Sequence, residues 1–140
     1  MSINRLTVCE AVRKRIISVT NIDPLTQFAG SNIDFDPKGV VLWIREFSVG
    51  GEERMFTAKR SRISSFLIQY DLMIPLNIGT DTLETAVNAV MSEFDLADPV
   101  KSNVFATGLD IIVKAISRDS EKLKDYHREK LLFTLDVTTS

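Results

Sequence analysis

The chain has one thiol and one imidazole, Cys9 and His127, so nucleophilic catalysis by a Cys–His pair has a single candidate. Such a pair needs the base within hydrogen-bond reach of the nucleophile. Cys9 falls on an apolar stripe with Ile3, Leu6, Val12 and Ile16, three or four residues apart, where a small thiol is buried and inert. His127 stands in the charged run SRDSEKLKDYHREK and reads as solvated. Carboxylate pairs come next. Asp34 and Asp36 precede Pro37 and Gly39, and Asp95 and Asp98 flank the end of a helix; both pairs read as turn formers. Neither gives the alternating ligands and distant glutamate of a calcium loop. One cysteine and one histidine exclude an internal disulfide, a cysteine-based zinc site and a multi-histidine centre. The run NIGTDTLE offers a helix N-terminus, but it lacks the glycine spacing and lysine of a phosphate loop. Asp81 and Glu84 read there as N-cap and capping-box partner. The sequence therefore predicts no catalytic, cofactor or metal site, and a protein that is not an enzyme.

The elements around these residues form an α+β pattern. Residues 3–18 predict a helix, ended by Asp23-Pro24. Residues 21–39 hold two Asp-Pro pairs and read as a surface connection with a short extended piece at 33–35. GVVLWIREF, 39–47, predicts a strand with Val41, Trp43, Arg45 and Phe47 on one face and Val40, Leu42 and Ile44 on the other, central in its sheet or covered on both faces. Residues 48–61 contain Gly50-Gly51 and many charges; either the flanking strands extend into them or they form a protruding arm. From Ser64, the residues Phe66, Ile68, Tyr70, Leu72 and Ile74 alternate with Leu67, Gln69, Asp71 and Met73, a period-two strand ended by Pro75. Leu83, Val87, Val90, Met91 and Phe94 mark a second amphipathic helix. Two further strands centre on 109–116 and 131–137, joined by a hairpin connection or a short solvated helix. The order is αββαββ in one domain, 1–140. It predicts an antiparallel sheet of four strands or slightly more with helices packed on one face. The other face would leave Leu67, Met73, Ile112, Ile116 and Leu132 partly exposed, a patch that points to a partner.

With 140 residues, 44% hydrophobic and 26% charged, the chain has the composition of one globular domain. No apolar run approaches the roughly 20 residues that span a bilayer, and MSINRLTVCEAVRKRI interleaves charges where a secretory signal would not. Net charge is −2, which argues against a dedicated nucleic-acid binder. The charge is uneven: residues 1–62 carry ten Lys/Arg against seven Asp/Glu, and residues 63–117 carry two against seven. The basic residues Arg54, Lys59, Arg60 and Arg62, with Met55 and Phe56 between them, could meet an acidic neighbour. Residues 81–98 are such a segment, with Asp81, Glu84, Glu93, Asp95 and Asp98 and no Lys or Arg. Two different surfaces meeting head to tail repeat, and they make a ring when the rotation closes.

In order and size, AVRKRI, then IDFDPKGVVLWIREF, the long polar stretch, SSFLIQYDLMIPLNIGTDTLETAVNAVMSEF and a late LLFTLDV resemble the tail terminator and tail-completion proteins of long-tailed bacteriophages. The resemblance implies a small α+β subunit of a hexameric ring that sits on the finished tail tube, stops its polymerisation and joins it to the head connector protein. DNA would pass through the hole without sequence reading, and the protein would reside in the virion tail or neck after assembly in the host cytoplasm. It implies no catalytic or cofactor residue. The ring-forming and tube-facing residues expected from charge are Arg54, Met55, Phe56, Lys59, Arg60, Arg62, Asp81, Glu84, Glu93 and Asp95. The alternatives are another neck or head-tail joining protein, or a small-molecule-binding α+β domain.

Overall fold

In the computed structural model, the described residues are 4–30, 39–56, 61–76, 78–106 and 108–139, with the side chains of 48–63, 105 and 139 outside the description. The expected extended piece at 33–35, with Asp34 and Asp36, lies outside the described residues, as do Lys59 and Arg60.

Helix α1 spans Arg5–Thr20. The Leu6 N–H donates to Asn4 Oδ1 at 3.0 Å, which caps its start. Asn21, at φ 54°, ends it in the left-handed conformation that asparagine tolerates. Its buried stripe is Val8, Cys9, Val12 and Ile16, while Leu6, expected inside, is exposed. Helix α2 spans Asp81–Glu93 and buries Leu83, Ala86, Val87 and Val90, with Phe94 just beyond. Its N-cap is Thr80, without a side-chain cap bond, and Asp81 is the first helical residue. The expected capping box is therefore absent, and the Glu84 carboxylate instead binds Arg118.

The strands correct the expected sheet. Among the described residues there are six, in a curled, mixed, half-barrel sheet, and the order is αβββαβββ, not an antiparallel four-stranded αββαββ. They are β1 (Phe28–Ala29), β2 (Trp43–Phe56), β3 (Ser61–Pro75), β4 (Asn103–Ala106), β5 (Leu109–Lys122) and β6 (Tyr126–Thr139), arranged β1-β2-β3-β6-β5-β4. β1 lies parallel to β2 and makes the sheet mixed; the other neighbours are antiparallel. β1 and β4 have two and four residues, too few for any periodicity to mark them. β2 and β3 pair as far as Phe56 and Ser61, so the flanking strands do extend into the polar stretch. β5 and β6 likewise continue to Lys122 and Tyr126, and the charged run between the two expected strands is mostly strand itself.

The core lies between the helices and one face of the sheet. It joins Val12 and Ile16 of α1 and Val87 and Val90 of α2 to Ile68, Tyr70 and Leu72 of β3 and Leu131, Phe133 and Leu135 of β6. Phe133 receives Tyr70 and Phe94 edge-on, with ring centroids 5.6 and 5.1 Å away. On the helix-free face Leu67, Met73, Ile112 and Leu132 are half-buried. Ile116, expected there, is not on that face. A register shift between Val113 and Ala115 turns the strand over, sets Ile116 opposite Phe133 and packs it against the core.

Candidate functional site

Among the described residues buried charge collects at three places, around Glu46, Asp71 and Glu129, none of them a candidate from the sequence. The first lies under α1. Glu46 is in phase with Leu42 and Ile44, on the core face of β2, and is 2% exposed. Arg13 grips it with both arms of its guanidinium, Nε to Oε2 at 3.1 Å and Nη2 to Oε1 at 2.6 Å. The Tyr70 hydroxyl donates to Oε2 at 2.8 Å. Burial, then the Glu46 charge, pushes the Tyr70 phenol well above its ordinary value, so it stays a neutral donor. The Glu46 carboxylate raises Arg13 further. Cys9 is buried beside this group, close enough to bear on both Arg13 and Tyr70. A neutral phenol, a fixed cation and a doubly held carboxylate form a closed structural clasp between α1 and the sheet.

The second place is on the helix-free face. Asp71 is 1% exposed, accepts from Gln69 Nε2 at 2.8 Å and lies 3.5 Å from Arg128 Nη1. Burial outweighs Gln69, Arg128, Lys130 and Arg45 and raises its carboxyl above the ordinary range. Arg128 also binds Glu121. The third is the inner end of the β5–β6 hairpin. There Arg118 joins buried Glu129 to Glu84 of α2, and Ser120 donates to Glu129.

The residues weighed for chemistry are not brought together. Cys9 sits with Glu46 and Tyr70, while His127 is half-buried on β6, paired with Ile74 and Lys122. It lines a separate cleft of ≈ 150 Å³ with Thr80, Gly79, Pro75 and Leu76. His127 was expected in a solvated connection and instead belongs to a strand. Asp95 and Asp98 accept the N–H groups of Ala97 and Val100 at 3.0 and 2.9 Å, the local turns expected of them. Among the described residues no three His, Cys, Asp or Glu side chains group as a metal-ion site, and no helix is long and apolar enough to cross a membrane.

Of the expected interface residues, Arg54, Met55, Phe56 and Arg62 lie on the paired ends of β2 and β3. Asp81 and Asp95 are exposed. Two of the acids have partners in their own chain: Glu84 binds Arg118, and Glu93 Oε1 accepts from Arg15 Nε at 3.1 Å. A groove of ≈ 350 Å³ runs between the end of α1, Leu42 and the start of α2, with Thr20, Asp81, Thr82 and Thr85 on its walls. Its size is near the lower end of about 300–1,000 Å³ for small-ligand sites, and among the described residues Asp81 is the one charged residue lining it.

No family model matches the chain, and no curated protein does. Solved structures do: 34 chains match. One of them, whose name states no function, superposes over 97% of this chain and 96% of its own with a TM-score of 0.62 and 19% identity. That likeness extends over the whole domain and concerns the fold alone.

Proposed function

We propose that this protein is a structural assembly subunit which closes with its own copies into a ring, a hexamer in the resemblance, and serves as a phage tail terminator. In this reading it caps the finished tail tube, stops its growth and offers the opposite rim to the head connector, in the tail or neck of the virion. It is assembled in the host cytoplasm. It works by shape and contact, with no cofactor and no bond made or broken.

The observation that carries the assembly reading is the helix-free face of the sheet. Both helices pack on the other side, and Phe47, Leu67, Met73, Ile112 and Leu132 are left half-buried. A monomer gains by covering such a surface. The terminator assignment adds the order and size of the elements quoted from the sequence. A net charge of −2 suits a ring through which DNA slides, because each neutralised phosphate would add affinity and hold the strand.

Light scattering coupled to size exclusion, with negative-stain images of the same fraction, tests the reading. Rings are expected, and polymerising tail tubes mixed with them should stop at a fixed length. A monomer at high concentration that leaves tube length unchanged would overturn it.

A further inference from the structure

Each outer edge of the sheet is half covered, and the covered halves lie at opposite ends. β1 pairs with β2 only at Ile44 and Arg45, so among the described residues β2 has no outer strand neighbour over 47–56, ten residues. β4 pairs with β5 over Leu109 to Ile112, and the Val113 N–H donates to the Ser102 carbonyl at 2.8 Å. Beyond that, β5 has no outer strand neighbour among the described residues over 114–122, nine residues, and all of these but Ile116 are exposed. Two rows across the sheet fix the relation. Trp43, Met73, Arg128 and Glu121 stand in one row, at the end where β1 lies; Arg54, Ile63, Thr138, Asp110 and Phe105 stand in another, at the end where β4 lies. The open half of β2 is thus at the β4 end, and the open half of β5 is at the β1 end. The outline is a step on each side, and one step fits the other.

We propose that residues 47–56 of a second copy of this chain add to the edge at 114–122 as an antiparallel strand, continuing the sheet from subunit to subunit. The inference rests on the assembly reading above and specifies its contact. Strand direction agrees. β2 is antiparallel to β3, β3 to β6 and β6 to β5, so β2 runs opposite to β5, and a copy rotated about an axis near the strand direction lays its β2 antiparallel on this edge. Length agrees too, ten residues against nine, with β4 beyond one end of the contact and the neighbour's β1 beyond the other. An open edge presents unpaired N–H and C=O groups, and strand addition satisfies them with main-chain bonds. The bulge at Lys114 and the charges of Arg118, Asp119, Glu121 and Lys122 keep the edge from pairing with an arbitrary strand. Because the two edges differ, the contact is head to tail, and its half-strand stagger is a shear of the kind that tilts strands when a sheet closes.

Charge complementarity supports the same partner. Residues 54–62 include Arg54, Lys59, Arg60 and Arg62 and no acid. Antiparallel addition carries the end of β2, where Met55 pairs with Arg62, to Lys114, toward the bond between Val113 and Ser102. The turn that leads into Ser102 holds Asp95, exposed, and Asp98. A basic strand end therefore meets the acidic turn of the next copy.

Cross-linking tests the contact, and the one native cysteine, Cys9, is buried and silent. Ser117→Cys is combined in one chain with Glu52→Cys, Arg54→Cys or Phe56→Cys, three positions on one face that cover neighbouring registers. At least one double variant should oxidise to a ladder of dimers, trimers and larger species up to the closed ring on non-reducing gels. Each single variant should stop at a dimer. In the wild-type protein, amide exchange over 47–56 and 114–122 should slow at least about tenfold on assembly. Rings that give no ladder and no slowing would overturn the strand-addition contact and leave the assembly reading standing. A wild-type protein that stays monomeric overturns both.

Discussion

Glu46 shows how a charge can hold a fold together without doing chemistry. Removing it would leave the Arg13 guanidinium and the Tyr70 hydroxyl facing a cavity. Breaking a buried pair typically costs about 3–5 kcal/mol, and Arg13, with 30% of its side chain still exposed, recovers part of that in water. Glu46→Ala is therefore expected to lower stability by roughly 3 kcal/mol in urea melts, with Glu46→Gln in between because it keeps the Tyr70 bond. Wild-type stability in Glu46→Ala would refute the clasp. The sequence did carry a signal for this residue: a charge in phase with Leu42 and Ile44 is an exception to the apolar alternation. Its partners, 33 and 24 positions away, were not legible there. Asp71 differs in sign. Burial makes its folded carboxyl hold its proton to higher pH than the unfolded chain does. It therefore favours the native state at low pH, and that contribution is lost as pH rises from the ordinary carboxylate range through the raised folded value. Asp71→Asn removes the titration. The stability of wild type minus that of Asp71→Asn should fall as pH rises above the ordinary carboxylate range of about 4; a difference flat with pH would contradict the burial of this carboxyl.

Elements were legible where one face is buried and the other wet. α2 and β3 show this best: their stripes, Leu83-Val87-Val90 and Phe66-Ile68-Tyr70-Leu72-Ile74, are core residues in the structure. Legibility failed where that contrast is lost. β5 past Ile116 and β6 before Leu131 leave the apolar core, polar residues take both faces, and a run of charges reads as a connection although it is paired strand. The bulge at Lys114 moved Ile116 inward, which periodicity without a partner strand does not reveal. β4 has no periodicity to read, and its place is fixed by one arginine. Arg15 Nη1 donates to the Asn103 carbonyl at 2.8 Å, and Nη2 donates to the carbonyls of Glu93 and Lys101 at 2.7 and 2.8 Å. Nε binds the Glu93 carboxylate, and the guanidinium lies 4.4 Å from the Phe94 ring centroid. This one side chain ties α1 to the end of α2 and to the start of the edge strand. Arg15→Ala should cost about 2 kcal/mol and speed amide exchange at Val113 and the β4 residues more than elsewhere. Arg15→Lys should rescue little, because an ammonium lacks the planar fork that reaches three carbonyls and a carboxylate. Uniform exchange across the sheet in Arg15→Ala would remove this role.

At the scale of the whole molecule, the separation of charge along the chain becomes a separation in space. Arg54 and Arg62 lie on the paired ends of β2 and β3, in a stretch of sequence, 54–62, with four cations and no acid, and the acids of 81–98 lie on and after α2. Internal pairing reduces the acidic side: Arg118 takes Glu84 and Arg15 takes Glu93, which leaves Asp81, Asp95 and Asp98 for a neighbour. Strand addition at 114–122 brings the basic strand end to Asp95 and Asp98 and leaves Asp81 at the far end of α2, so these acids are expected to matter unequally. Lys59→Glu with Arg60→Glu should weaken ring formation at low salt, and Asp95→Lys in the same chain should restore it, since the exchanged pair keeps opposite signs. Asp81→Lys in place of Asp95→Lys should not restore it. The loss should shrink as salt rises, because exposed charges farther apart than about 8 Å are screened near physiological ionic strength. The main-chain part of the contact should persist. Sedimentation velocity at two salt concentrations reads all of these outcomes, and rescue by Asp81→Lys but not by Asp95→Lys would place the neighbour on the other end of α2 and displace the edge contact.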